Sequence, residues 1–156
     1  MREILFRGKR KDIPGGWVYG WYQPPVKWGN HNFGTSISHF CDEGWLDDTE
    51  VIPETVGQFT GLTDKNGKKI FEGDLLNGFE YPFYRSEDNK HNYFAEVVWF
   101  DNGAFGLVTH KYPNSRVRGI SAGNADYFDE EFDCDNWEVI GNIHDNPELL
   151  EVNDNG

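Results

Sequence analysis

The chain predicts a mainly β protein, and three observations carry that prediction. Asn66-Gly67 sits between β-formers in the run Gln58–Leu76, the strongest short signal for a hairpin. Asp101-Asn102-Gly103 repeats the signal between two further alternating segments. The 156 residues include 18 glycines and six tryptophans, with few aliphatic runs. That mix suits many short strands joined by tight turns.

The elements follow in order. Glu3–Arg7 reads as a first strand, with Ile4 and Phe6 on one face. Gly8–Gly16 is a basic, turn-rich connection ending in Pro14-Gly15-Gly16. Trp17–Tyr22 is a second strand whose two-residue period places Trp17, Tyr19 and Trp21 on one face. Gly20 lies opposite, where it lets a neighbouring chain approach closely. Pro24-Pro25 ends the strand. Phe33–Phe40 is a weaker strand, Gly44–Asp48 a turn, and Val51–Thr55 a short extended link.

Val56–Gly61 and Lys68–Phe71 form the first hairpin, with Asn66 and Gly67 both at φ > 0 in a type I′ turn. Gly73-Asp74 makes a sharp corner into Leu75-Leu76-Asn77, where the Asp side chain accepts a backbone N–H. Gly78–Asn92 lacks a period and reads as a loop. Tyr93–Asp101 is the clearest long strand, with Ala95, Val97 and Trp99 on one face. Ala104–His110 returns with Phe105 toward the core. Arg116–Ile120 is a short strand, and Ser121–Asn136 an acidic loop. Trp137–Ile143 is the last strand. Asn146-Pro147-Glu148 has the chemistry of a helix start, with Asn146 as cap, and Leu149 and Leu150 then plug an open barrel end. The tail from Val152 should fray.

These elements assemble as a small SH3-like or partly open β-barrel from about Val56 to Leu150, with additional N-terminal strands and a short C-terminal helical turn. Residues 1–156 read as one domain, with lobes at 1–55 and 56–150. The tryptophans are expected to gather inside it.

The net charge is −13, unevenly spread. Arg2–Lys11 holds five bases and one acid; Asp42–Glu54 holds six acids and no base; Asp126–Glu138 holds seven acids and no base. Acidic loops of this kind keep a protein soluble by self-repulsion, and the overall sign disfavours a broad phosphate-binding face. No apolar run reaches the roughly 18 residues of a membrane helix, and Met1–Arg7 is too charged for a secretory core. A cytoplasmic protein with reduced Cys41 and Cys134 is expected.

Four blocks, Met1–Arg7, Gln58–Leu76, Val97–Phe105 and Trp137–Leu150, together with Gly16–Gly20 and Pro53–Gly57, resemble the YopX family of phage and prophage proteins. The resemblance implies a largely β protein with an SH3-like part, encoded in phages or integrated elements and without an assigned molecular activity. It supplies no catalytic residues.

The residues themselves point to no catalytic chemistry. His39-Phe40-Cys41-Asp42, with His31 upstream, offers mixed metal donors but no Cys-x-x-Cys knuckle. Asp126, Asp129, Glu130, Glu131, Asp133 and Asp135 lack the EF-hand order. Ser36, Ser38, His39 and Asp42 come without a nucleophile elbow. No metal, cofactor or small-molecule substrate is expected. Arg7, Lys9, Arg10 and Lys11 beside Trp17, Tyr19 and Trp21 form a candidate nucleic-acid patch. The expectation is a non-enzymatic accessory protein acting by protein–protein interaction or self-assembly. The alternatives are a nucleic-acid-binding SH3-like module and an acidic mimic of nucleic acid.

Overall fold

The computed structural model describes residues 3–78, 93–100, 103–110, 125–127 and 137–150. The chain forms two compact units, Met1–Gly61 and Leu62–Gly156.

The first unit contains β1 (Phe6–Lys9), β2 (Trp17–Gln23), β3 (Val26–Trp28), β4 (His31–Phe33), β5 (Ser36–Phe40), β6 (Leu46–Glu50) and most of β7 (Gly57–Thr63). Five of these lie in the order β6-β5-β2-β1-β7, with antiparallel pairing throughout. Among the described residues β3 and β4 pair only with each other. Val18, Ile37 and Val51 form the core of this unit, with Phe6 and Val56 packed against it. The period of two produces this core. Phe6 stands opposite Gly20, Gly8 opposite Val18, and Ile37 opposite Tyr22. Gly20 performs its expected role, because a Cβ there would overlap the backbone carbonyl of Ser38. The link after β6 is a 3-10 turn over Pro53–Thr55 rather than an extended segment. Thr55 ties it down by accepting from the Lys9 N–H at 2.8 Å through Oγ1.

β7 runs on into the second unit, where its end pairs with β8 (Lys69–Phe71). β9 (Asp74–Gly78), β10 (Tyr93–Trp99), β11 (Phe105–His110), β12 (Ala125–Tyr127) and β13 (Trp137–Asn142) form a sheet ordered β12-β11-β10-β9-β13. β9 is buried along its whole length. Leu76 faces Ala95 on one side and Val139 on the other, and Val97 faces Leu107. These rows, with Ile70 and Trp137, make the second core.

Two aspartates fix the corners of this unit. Asp74 is 1% exposed and accepts from the Phe71 N–H at 2.8 Å, the corner bond expected from Gly73-Asp74. Asp64 is also buried. Its Oδ1 accepts from the N–H groups of Asn66 and Lys68, and its Oδ2 accepts from the Val139 N–H at 2.9 Å. The Lys65 N–H also donates to the Trp137 carbonyl. The hairpin turn therefore seals the outer edge of β13, which would otherwise offer open backbone groups to another strand.

The hairpins form where expected, but the turn type differs. Gly67 has φ +78 and no non-glycine residue has positive φ among the described residues. The Gly67 N–H donates to the Asp64 carbonyl and the Asp64 N–H to the Lys68 carbonyl. This is a type I turn closed by a left-handed glycine, not type I′. Phe100–Ala104 closes with the same pair of bonds, although Asp101 and Asn102 lie outside the described residues. Cys41–Trp45 repeats the pattern through Gly44, joining β5 to a strand, β6, that the sequence concealed in an acidic run.

Other expectations need correction. β1 begins later than Glu3 and continues through Lys9. The β3–β4 hairpin fills a stretch in which no hairpin was expected. β12 lies within the expected acidic loop. No sheet closes into a barrel among the described residues. Leu149 and Leu150 therefore cap no barrel end; they sit half-buried in a 3-10 turn, Pro147–Leu150. Asn146 accepts the Asn142 N–H through its side-chain oxygen, next to the bulge in β13. Of the six tryptophans, only Trp137 is buried; Trp17 is half-buried, and Trp21, Trp28, Trp45 and Trp99 are exposed. The expected loop over 79–92, the expected strand Arg116–Ile120, Cys134, most of Ser121–Asn136 and the tail from Val152 fall outside the described residues. Among the described residues no helix is long and apolar enough to cross a membrane.

Candidate functional site

The sheet of the first unit has a core face and an outer face, and the outer face carries the chemistry. Arg7 pairs with Tyr19, Lys9 with Trp17, Trp21 with Ser38, Ser38 with Asp48, and Phe40 with Leu46. Alternate residues of a strand share a face. All of these side chains therefore project from the side opposite Val18 and Ile37. Such a sheet needs only one apolar face for its core, and a polar outer face is the ordinary outcome. Here the outer face is aromatic. Tyr19 and Trp21 are each 48% exposed, Phe40 64% and Leu46 61%. Trp45, in the adjoining turn, is 69% exposed. The Trp21 and Phe40 rings meet edge to face at 5.6 Å, the favoured quadrupolar geometry.

The rim of this face is acidic. Asp48 lies on it and accepts a hydrogen bond from Ser38 Oγ. Asp42 and Glu43 occupy the turn that carries Trp45. β6 is the edge strand, yet it is a poor template for a further strand. Glu50 already gives its carbonyl to the Lys11 N–H, and Asp47 turns its carboxylate onto the Asp48 N–H at 3.0 Å. The face, not the edge, is the open surface.

The four bases of the proposed patch are separated by their environments. Arg7 is 5% exposed, with its guanidinium carbon 4.7 Å from the centre of the Trp17 ring. Lys9 Nζ lies 5.9 Å from the same ring. Arg10 forms a two-pronged pair with Asp12, at 2.9 and 2.8 Å. The Asp12 hydrogen bond raises the Arg10 guanidinium pKa, and the same bond lowers that of the Asp12 carboxyl. Lys11 pairs with Glu50 at 2.9 Å. The fold thus places Arg7 and Lys9 on the aromatic face and engages Arg10 and Lys11 in ion pairs beside it.

His39 and Cys41 do not converge on an ion site, and Asp129–Asp135 lie outside the described residues. His39 Nε2 bonds Thr49 Oγ1 at 2.8 Å, and Cys41 is a free thiol. Among the described residues, no group of three or more His, Cys, Asp or Glu side chains is placed to hold an ion.

What sequence reasoning missed is the second aromatic element, the β3–β4 hairpin. Val26 pairs with Phe33 and Trp28 with His31, so these four share one face; Lys27 and Asn32 share the other. Every residue of both strands is exposed. The available signal was the alternation Val26-Lys27-Trp28 and His31-Asn32-Phe33 around Gly29-Asn30.

A mainly β architecture of two open-sheet units, with an aromatic outer face and no convergent polar centre among the described residues, defines a structural class without naming an activity. The sequence pattern of the YopX protein family matches residues 23–151, and the chain belongs to that family. It is also similar to the crystal structure of protein EF1440 from Enterococcus faecalis, with 22% sequence identity and a TM-score of 0.51. That likeness covers 97% of this chain and 100% of the other, and it supports the shared fold. No curated protein matches the chain.

Proposed function

We propose that this chain is a phage- or prophage-encoded accessory protein of the host cytoplasm, and that it works by binding protein through the outer face of its first unit. The carrying observation is the cluster of Trp21, Phe40 and Leu46, all about half exposed or more on one side of the unit. Scattered exposed apolar residues are ordinary, but a contiguous aromatic patch with a polar rim is the mark of an interaction surface. Aromatic side chains dominate protein interfaces because they bury much area at little conformational cost.

The partner surface that fits is apolar at its centre and free of negative charge at its margin, facing Asp42, Glu43 and Asp48. A nucleic-acid partner fits less well. Arg10 and Lys11 are already paired with Asp12 and Glu50, and the net charge is −13. Neutralising phosphates requires available cations. The reading needs no catalytic group, cofactor or metal.

The test is tagged capture from host cells at low and high salt, with the intact protein and with Trp21→Ser/Phe40→Ser. Partners that persist in high salt and are lost with the double substitution agree with an apolar protein interface. Equal capture by both proteins counts against this face. Recovery of nucleic acid alone, lost at high salt, would favour a polyanion-binding role instead.

A further inference from the structure

We infer that the occupant of the aromatic face is the β3–β4 hairpin of a second copy of this chain, exchanged reciprocally between two protomers. The inference rests on the protein-binding reading above and names its partner.

The hairpin itself is the first argument. An isolated two-stranded ribbon is marginally stable in water. Among the described residues this one joins no larger sheet, and its apolar side is bare: Trp28 is 77% exposed, Phe33 59% and Val26 50%. A ribbon with one apolar and one polar side, Lys27 and Asn32, is built to lie against a surface. The His31 and Phe33 rings, 6.4 Å apart, continue that apolar side along β4.

Charge is the second argument. Two copies of a chain with net charge −13 repel unless the contact avoids acids. Ile13–Cys41 contains no acidic residue and includes Lys27, although the whole chain has 27 acids. The hairpin lies in that window. It can approach the rim formed by Asp42, Glu43 and Asp48 without like-charge contact, as the face requires.

Area is the third. The exposed fractions of Val26, Trp28 and Phe33, laid on those of Trp21, Phe40 and Leu46, bury roughly 1,500 Å² when both copies contribute, which is the size of a stable interface. Each protomer presents both halves of the contact, so a two-fold arrangement pairs each half and leaves neither to propagate.

The test is sedimentation of the full chain over a wide concentration range. Three samples are compared: intact protein, a hairpin variant Trp28→Ser/Phe33→Ser, and a face variant Trp21→Ser/Phe40→Ser. All four side chains are exposed, so both variants should keep the far-ultraviolet spectrum of the intact protein. The expected result is a reversible dimer, weakened at least about 100-fold in either variant. Mixing the two variants should restore partial association, because a mixed pair retains one intact hairpin on one intact face.

A strict monomer overturns the exchange, as does a dimer indifferent to both variants. In either case the protein-binding reading still stands if capture remains sensitive to Trp21 and Phe40, and falls if it does not. Flotation of monomeric protein with zwitterionic phosphatidylcholine vesicles, lost in Trp28→Ser/Phe33→Ser, would replace the second copy with a lipid surface.

Discussion

Asp64 ties the first hairpin turn to β13, and its replacement can be worked through from the structure. The carboxylate is 4% exposed and accepts three backbone N–H groups, from Asn66 at 2.8 Å, Lys68 at 2.9 Å and Val139 at 2.9 Å. Burial alone would raise its pKa; the bonds from Val139, Lys68 and Asn66 outweigh burial and hold it below the usual carboxylate range. Asp64→Asn preserves the shape and can keep the two local bonds on its oxygen. Its amide nitrogen then faces the Val139 N–H, donor against donor. One charged hydrogen bond is lost and a donor is left unsatisfied at the β13 edge, so the expected cost is about 2 kcal/mol. Asp64→Ala loses all three bonds, at about 3 kcal/mol. Urea denaturation, followed by the fluorescence of buried Trp137, measures the total; amide exchange at Val139 localises it. The sign with pH follows from linkage. A depressed folded-state pKa means the unfolded chain binds more protons near pH 4. The stabilisation is therefore complete above that pH and lost as pH falls through the folded-state pKa. The difference between intact protein and Asp64→Asn should shrink on acidification. A cost under ~0.5 kcal/mol at neutral pH, with Val139 exchange unchanged, would refute the clamp, since exposed side chains typically cost no more than that.

Three further outcomes follow from the same geometry. Gly20→Ala should destabilise by about 3 kcal/mol in thermal denaturation, because the new methyl meets the Ser38 carbonyl and backbone yields little. Gly67→Ala should cost about 1 kcal/mol at φ +78, whereas Asn66→Ala should stay within about 0.5 kcal/mol. A larger loss for Asn66→Ala would restore the type I′ turn. Acrylamide should quench most tryptophan emission in dilute protein, leaving a blue-shifted component that disappears in Trp137→Phe; uniformly protected emission would contradict the exposed aromatic face.

The sequence was legible where local chemistry decides structure. Asn-Gly and Gly-Asp placed two corners because few residues accept those backbone states, and Gly20 announced the close strand pairing that Ser38 confirms. It was least legible where a side chain's face depends on what lies across the sheet. Trp17, Tyr19 and Trp21 share a side by period alone, but only the pairing of Phe6 with Gly20 and Gly8 with Val18 reveals that the opposite side is the core. β6 was hidden because Leu46-Asp47-Asp48-Thr49-Glu50 is a poor strand by composition and is held by its register with β5. The basic run Arg7–Lys11 suggested a patch; the partners that engage Arg10 and Lys11 are Asp12, two residues away, and Glu50, 39 residues away. Only the first was near enough to notice.

Hydroxyl-radical footprinting tests the central claim most directly. The protein is labelled free, then in its complexes, whether with a captured host protein or with a second copy. Protection of Trp21, Phe40 and Leu46 on binding, with Trp99 of the second unit labelled equally in both states, is the predicted pattern. Unchanged labelling at Trp21 and Phe40, with protection elsewhere, would contradict it.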